Sequence, residues 1–255
     1  MTHNPPKAFI NTEFLNSPAA RPIRILSEYL EPADRFAREQ IEHTIVFFGS
    51  ARTRDVGPDP FDTHRYFHVA EECAYQLCSW ANNTPEIKDK LAVCTGGGPG
   101  IMEAANRGAA RAGGKNIGLG ISLPFEQQNN SYISPGLSFE FHYFFMRKLW
   151  FLYHARALIV FPGGFGTMDE LFETLTLVQT NKIPRIPFLL HDQAYWHDLI
   201  NFDTLIKRGV ISPQDVELIS FFDTAEECSA FLQPVLFERI TNSSDKNNVF
   251  SNGSN

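Results

Sequence analysis

Three kinds of residue in the middle of this chain could act together on a small molecule: bare glycines, a guanidinium beside an ammonium, and a group of acids. The run Pro162-Gly163-Gly164-Phe165-Gly166-Thr167 can continue neither a strand nor a helix. Its glycines let backbone N–H groups crowd around a guest, and a helix opening at Thr167 points its positive end at the same spot. Such a corner binds anions, phosphate above all. Glu170 follows in that helix, and Arg147-Lys148 lie upstream. Thr167 and Glu170 also have the spacing of a capping box, in which the glutamate only satisfies backbone N–H groups. A second corner, Thr95-Gly96-Gly97-Gly98-Pro99-Gly100, shifts the balance toward a ligand.

The same glycines exclude several chemistries. Gly96, Gly98 and Ile101 lack the third glycine of a dinucleotide fingerprint, as do Gly164, Gly166 and Asp169. No G-x-x-x-x-G-K-[ST], G-x-S-x-G or H-E-x-x-H occurs. What remains is a phosphate-bearing small molecule, with acids and one Arg-Lys pair to act on it.

Strands must hold both corners. The apolar run 158–161 reads as a buried strand, and Leu171, Leu175 and Val178 fall on one side of the helix after it. Further strands are expected over 44–48, 91–94, 116–123, 137–143, 186–190 and 216–221. Helices are expected over 66–80, 101–110, 145–154, 195–207 and 224–240, with one or two more over 21–42 broken near Pro32. This alternation predicts an α/β fold: a Rossmann-like, doubly wound, mostly parallel sheet with helices on both faces. Ligands of such sheets sit at the carboxyl ends of the strands, where both corners fall. Residues 1–42 read as a loosely held arm and helical extension, 43–240 as the catalytic domain, and the Asn/Ser-rich 241–255 as a disordered tail.

Composition sets the surroundings. The 255 residues are 43% hydrophobic and 20% charged, ordinary for a globular protein. A net charge of −7 argues against nucleic-acid or anionic-membrane partners. Cys73, Cys78, Cys94 and Cys228 lack metal spacing and read as reduced core thiols. With no signal peptide and no apolar run of about 18 residues, a cytoplasmic location is expected.

Pro162 to Glu170 resembles the PGGxGTxxE signature of the LOG ("lonely guy") family, whose members are cytokinin riboside 5′-monophosphate phosphoribohydrolases and related nucleosidases, many long labelled lysine decarboxylases. Thr95 to Glu103 resembles the family's upstream glycine corner, and Met146-Arg147-Lys148 its Arg-Lys step; the likeness spans roughly 43–240. It implies hydrolysis of the N-glycosidic bond of a nucleoside 5′-monophosphate, AMP or a cytokinin ribotide, without metal or cofactor. It further implies Arg147 and Glu170 as catalytic residues. Substrate contacts would come from Gly163, Gly164, Phe165, Gly166, Thr167 and Lys148, with Gly97 and Gly98 from the second corner. Glu126 and Thr176 would add others, as would Ser50, although Gly49-Ser50-Ala51-Arg52 departs from the family's serine-rich turn. A homo-oligomer, dimer or larger, is implied as well. The alternative is a nucleotide sensor without turnover. A lysine decarboxylase would need pyridoxal phosphate on a lysine, for which Lys148 beside Arg147 is a poor candidate.

Overall fold

The expected alternation is realised as one sheet. The computed structural model describes residues 5–60, 62–123 and 129–242. Helices α1 (Thr12–Asn16) and α2 (Arg21–Arg38) precede β1 (His43–Phe48). Then follow α3 (His64–Asn82), β2 (Leu91–Thr95), α4 (Ile101–Arg111), β3 (Asn116–Ile121), β4 (Ser138–Phe141), α5 (Phe144–Tyr153) and β5 (Ala155–Val160). The chain continues through α6 (Phe165–Gln179), β6 (Phe188–His191), α7 (Gln193–Leu199), α8 (Phe202–Lys207), α9 (Pro213–Val216), β7 (Ile219–Phe222) and α10 (Ala225–Thr241). The strands run in the order β4-β3-β2-β1-β5-β6-β7, and every pairing is parallel. The order reverses between β1 and β5, so the crevice at a topological switch point opens where these two strands end.

Side-chain alternation along the central strands divides the core in two. Val46, Phe48, Leu158 and Val160 face the layer built from α2, α5 and α6. Ile45, Phe47, Ala157, Ile159 and Phe161 face α3, α4 and α10. Phe36 and Ile41 of the N-terminal extension belong to the first of these cores.

Several sequence expectations are corrected. Helix α2 runs unbroken through Pro32. Proline has no N–H for the carbonyl four residues back, and that carbonyl, on Glu28, instead accepts from Trp150 Nε1 at 2.9 Å. Within the arm, Arg24 Nη1 donates to the carbonyls of Leu15 (2.6 Å) and Ser17 (2.8 Å). The single helix expected over 195–207 is two, because the Asn201 side chain caps a fresh start by accepting from Thr204 N at 2.8 Å. The strand expected from 216 begins at Ile219, after the short α9 whose capping box joins Ser212 and Asp215. The tail from 243 onward lies outside the described residues. All four cysteines are buried and free, and among the described residues no helix is long and apolar enough to cross a membrane.

Candidate functional site

Strand β5 is buried along its whole length and delivers Pro162-Gly163-Gly164 to the switch point. Helix α6 then starts at Phe165, two residues earlier than expected, with Gly164 as its cap and no side chain satisfying its first N–H groups. The capping box that the spacing of Thr167 and Glu170 would allow is therefore not formed. Thr167 turns the other way: a side chain at Gly163 would strike its Oγ1 at 2.1 Å. A side chain at Gly164 or Gly166 would meet nothing within 4 Å. Gly163 is thus required by packing, whereas Gly164 and Gly166 leave bare backbone facing open space. The Gly163 carbonyl is held from behind by Tyr195 Oη at 2.8 Å, a contact no sequence motif announced.

Glu170 is buried further along α6. Its carboxylate lies 3.8 Å from Arg147 Nη2 and 3.9 Å from Lys148 Nζ, beyond hydrogen-bond reach. Burial consequently outweighs both cations and lifts its pKa from 4.5 to about 7. Arg147 is half-buried, and the desolvation pulls its pKa down despite Glu170. Among the described residues its Nε has no hydrogen-bond partner, which leaves a donor free for a water or a ligand. Lys148 is different. Burial disfavours its charge, but Asp169 at 2.8 Å and Glu173 at 2.6 Å raise its pKa overall and hold it as an ammonium.

Helix α5, which carries Arg147 and Lys148, is positioned by the N-terminal extension. The Glu28 carboxylate accepts from the backbone N–H of His142 (2.8 Å) and Tyr143 (3.2 Å) just before α5 begins. With the Trp150 bond already described, one residue of α2 grips α5 at both its start and its middle. Among the described residues, none before Phe48 lines the crevice.

The crevice is a cavity of about 680 Å³. It brings together Ser50, Arg147, Gly163, Gly164, Phe165, Gly166, Thr167 and Glu170. Sequence reasoning missed several of its walls, among them Met102, Phe151, Met168 and Leu199. These are core-type apolar residues with no local mark of a site. Gly97, Gly98, Lys148 and Thr176 do not line it; Lys148 and Thr176 share a neighbouring groove on the outer side of α6. Glu126 lies outside the described residues. Among the described residues no cluster of three or more His, Cys, Asp or Glu could hold a metal.

Fold and crevice together define a doubly wound α/β protein with an open glycine corner, an arginine and a protonatable glutamate at its switch point. Comparison with known proteins gives the family. A family model described as possible lysine decarboxylase matches residues 102–232. The cytokinin riboside 5′-monophosphate phosphoribohydrolase LOG3 of Arabidopsis thaliana is 31% identical over 137 residues, covering 52% of this chain and 61% of its own length. LOG7 of the same plant is 31% identical over 162 residues, covering 62% and 70%. The chain belongs to this LOG family. It spans about three fifths of the length of the first of these relatives. In fold it is similar to a molybdenum cofactor binding protein from Rippkaea orientalis, with a TM-score of 0.51 at 17% identity over 76% of this chain and 98% of that one.

Proposed function

We propose that the chain hydrolyses the N-glycosidic bond of a nucleoside 5′-monophosphate, AMP or a cytokinin ribotide, to free base and ribose 5-phosphate. The observation that carries this reading is one cavity holding three complementary parts: the unsatisfied first turn of α6, the orphan Nε of Arg147, and Glu170 with its pKa near 7. The names of the plant relatives agree with it.

In this reading the helix start and its two uncrowded glycines take the phosphate. As the bond from C1′ to the base nitrogen lengthens, positive charge grows on the ribose ring. The Glu170 carboxylate stabilises that charge and accepts the proton of the attacking water. Water oxygen joins C1′, the electron pair of the broken bond stays with the base, and a proton completes the base nitrogen. A pKa near 7 lets Glu170 hold and release that proton at neutral pH. Arg147 supplies the bidentate donors that ribose or phosphate oxygens accept. Lysine decarboxylation is disfavoured by the same geometry: a Schiff-base lysine needs a depressed pKa, and Asp169 and Glu173 raise that of Lys148.

Mixing the protein with a panel of nucleoside 5′-monophosphates and resolving free base by chromatography tests the proposal. Base release from at least one is expected; a folded protein releasing none defeats it. Tight binding without turnover would instead mark a sensor. We further propose a homo-oligomer, because Phe165 is 96% exposed on the crevice lip and Phe144, Phe145 and Phe172 are exposed on α5 and α6. Sedimentation of the wild type and of Phe165→Asp checks this; a monomeric wild type refutes it.

A further inference from the structure

The turn after β5 is held from outside the crevice. Strands β5 and β6 pair in parallel, with Val160 opposite Leu190, so the chain leaving β6 passes beside the turn leaving β5. There Asp192 adopts φ of +67°, and its side chain caps α7 by accepting from Tyr195 N at 3.1 Å. The same carboxylate accepts from Tyr66 Oη at 2.6 Å and Arg65 Nη2 at 2.9 Å. Three donors thus hold a left-handed conformation that persists only where the surroundings fix it. They give α7 a set starting point, with the half-buried Tyr195 in its first turn.

Tyr195 Oη donates to the Gly163 carbonyl at 2.8 Å. Gly163 stands in the wall between the crevice and a neighbouring cavity of about 1370 Å³. Tyr195 lines only that neighbour, and Gly164 only the crevice. The peptide between the two glycines is trans, so its C=O and N–H point in opposite directions. A carbonyl turned toward Tyr195 therefore turns the Gly164 N–H toward the crevice. Among the described residues that N–H has no acceptor. With a glycine on each side, no Cβ restrains the rotation of this peptide, and the tyrosine hydroxyl is its one direct hydrogen-bond partner among the described residues.

We propose that Tyr195 is a positioning residue for phosphate: its hydroxyl aims the Gly164 N–H into the crevice and, by polarising the peptide, strengthens it as a donor. This rests on the phosphate role proposed for the turn, and does not depend on the glycosidase chemistry.

The test is Tyr195→Phe, which removes the hydroxyl and keeps the ring. Ribose 5-phosphate is titrated into the full chain and the variant by calorimetry, and the Gly164 amide is followed by NMR. The affinity is expected to fall about tenfold in the variant, and the Gly164 signal to move in the free protein. For a monophosphate that is turned over, KM should rise by the same factor with kcat little changed, since binding equal in ground and transition states alters KM alone. Tyr66→Phe is the comparison. It too loses a tyrosine hydroxyl bond, to Asp192, but leaves the Gly163 carbonyl its donor, and should bind ribose 5-phosphate as wild type does. Unchanged affinity in Tyr195→Phe, an equal loss in Tyr66→Phe, a still Gly164 signal, a fall in kcat at constant KM, or a wild type that does not bind ribose 5-phosphate would each overturn the assignment. Weakened binding in Tyr195→Phe by a protein that releases no base would uphold it and defeat only the glycosidase reading.

Discussion

The two glycine corners follow neighbouring stretches of the same design, a buried strand running through glycines into a helix, yet the protein fills one and leaves the other open. At the corner after β2, Gly97 and Gly100 adopt φ of +75° and +72°. A side chain at Gly100 would meet the Ser50 carbonyl at 2.3 Å, and one at Gly97 would meet Asn129 Oδ1 at 2.8 Å. The carbonyls of Gly97 and Gly98 accept from Asn130 Nδ2 at 3.0 and 3.1 Å. The first N–H of α4 donates to the Ser50 carbonyl at 3.1 Å. At Gly97 and Gly100 the reasons for glycine are internal, although Gly96 of the same corner still lines the crevice. At the corner after β5 the opposite holds: Gly164 and Gly166 have neither positive φ nor a crowding neighbour, and no side chain caps α6. Glycines that folding does not demand agree with the phosphate role proposed for this turn.

The sharpest way to break this contrast is at Glu170. Glu170→Gln should lower the rate of base release a hundredfold or more while the protein stays folded; unchanged turnover would return Glu170 to a structural role. Next is its pH dependence. The folded pKa of about 7 exceeds the ordinary 4.5, so the stability linked to the protonated acid is complete below 4.5 and is lost as pH rises through 7. Wild type should therefore lose about 3 kcal/mol relative to Glu170→Gln over that window, as denaturant titration at a series of pH values would show. Over the same window kcat/KM should rise as the carboxylate forms, and a flat profile would contradict the assignment.

The closed corner should answer in stability. Gly100→Ala combines positive φ with a backbone clash and should cost about 2–3 kcal/mol. Asn130→Ala removes the donor shared by Gly97, Gly98 and Asn106 and should cost about 2 kcal/mol; thermal melts measure both. The smallest stability effect belongs to the open corner. Gly166→Ala should change folding by less than about 0.5 kcal/mol, since alanine suits a helix better. The same variant should raise KM severalfold by placing a methyl group where the proposed phosphate would bind. A destabilised Gly166→Ala, or a tolerant Gly100→Ala, would dissolve the distinction between the corners.

Much of this was legible residue by residue. The strand at 158–161, the helices after both corners and the parallel sheet follow from apolar runs, their periods and the breakers between them. Arg147 and Glu170 were marked by motif and do meet in one cavity. The failures share a cause, in that a distant partner changed a local preference. Pro32 reads as a helix breaker, but Trp150, far along the chain, takes up the carbonyl it frees. The spacing of Thr167 and Glu170 suits a capping box as well as a ligand corner, but Thr167 packs over Gly163 and Glu170 lies 3.8 Å from Arg147 of α5. Asn201 splits a continuous apolar pattern because its side chain offers the backbone a cap.

The sequence by itself determined the order of the elements and the positions of both glycine turns, because those depend on φ preferences and apolar spacing within a few residues. Only the tertiary structure decided which turn stays open and how far burial raises Glu170. These are properties of what lies across space from a residue, and parallel crossovers bring together side chains that the linear order keeps far apart.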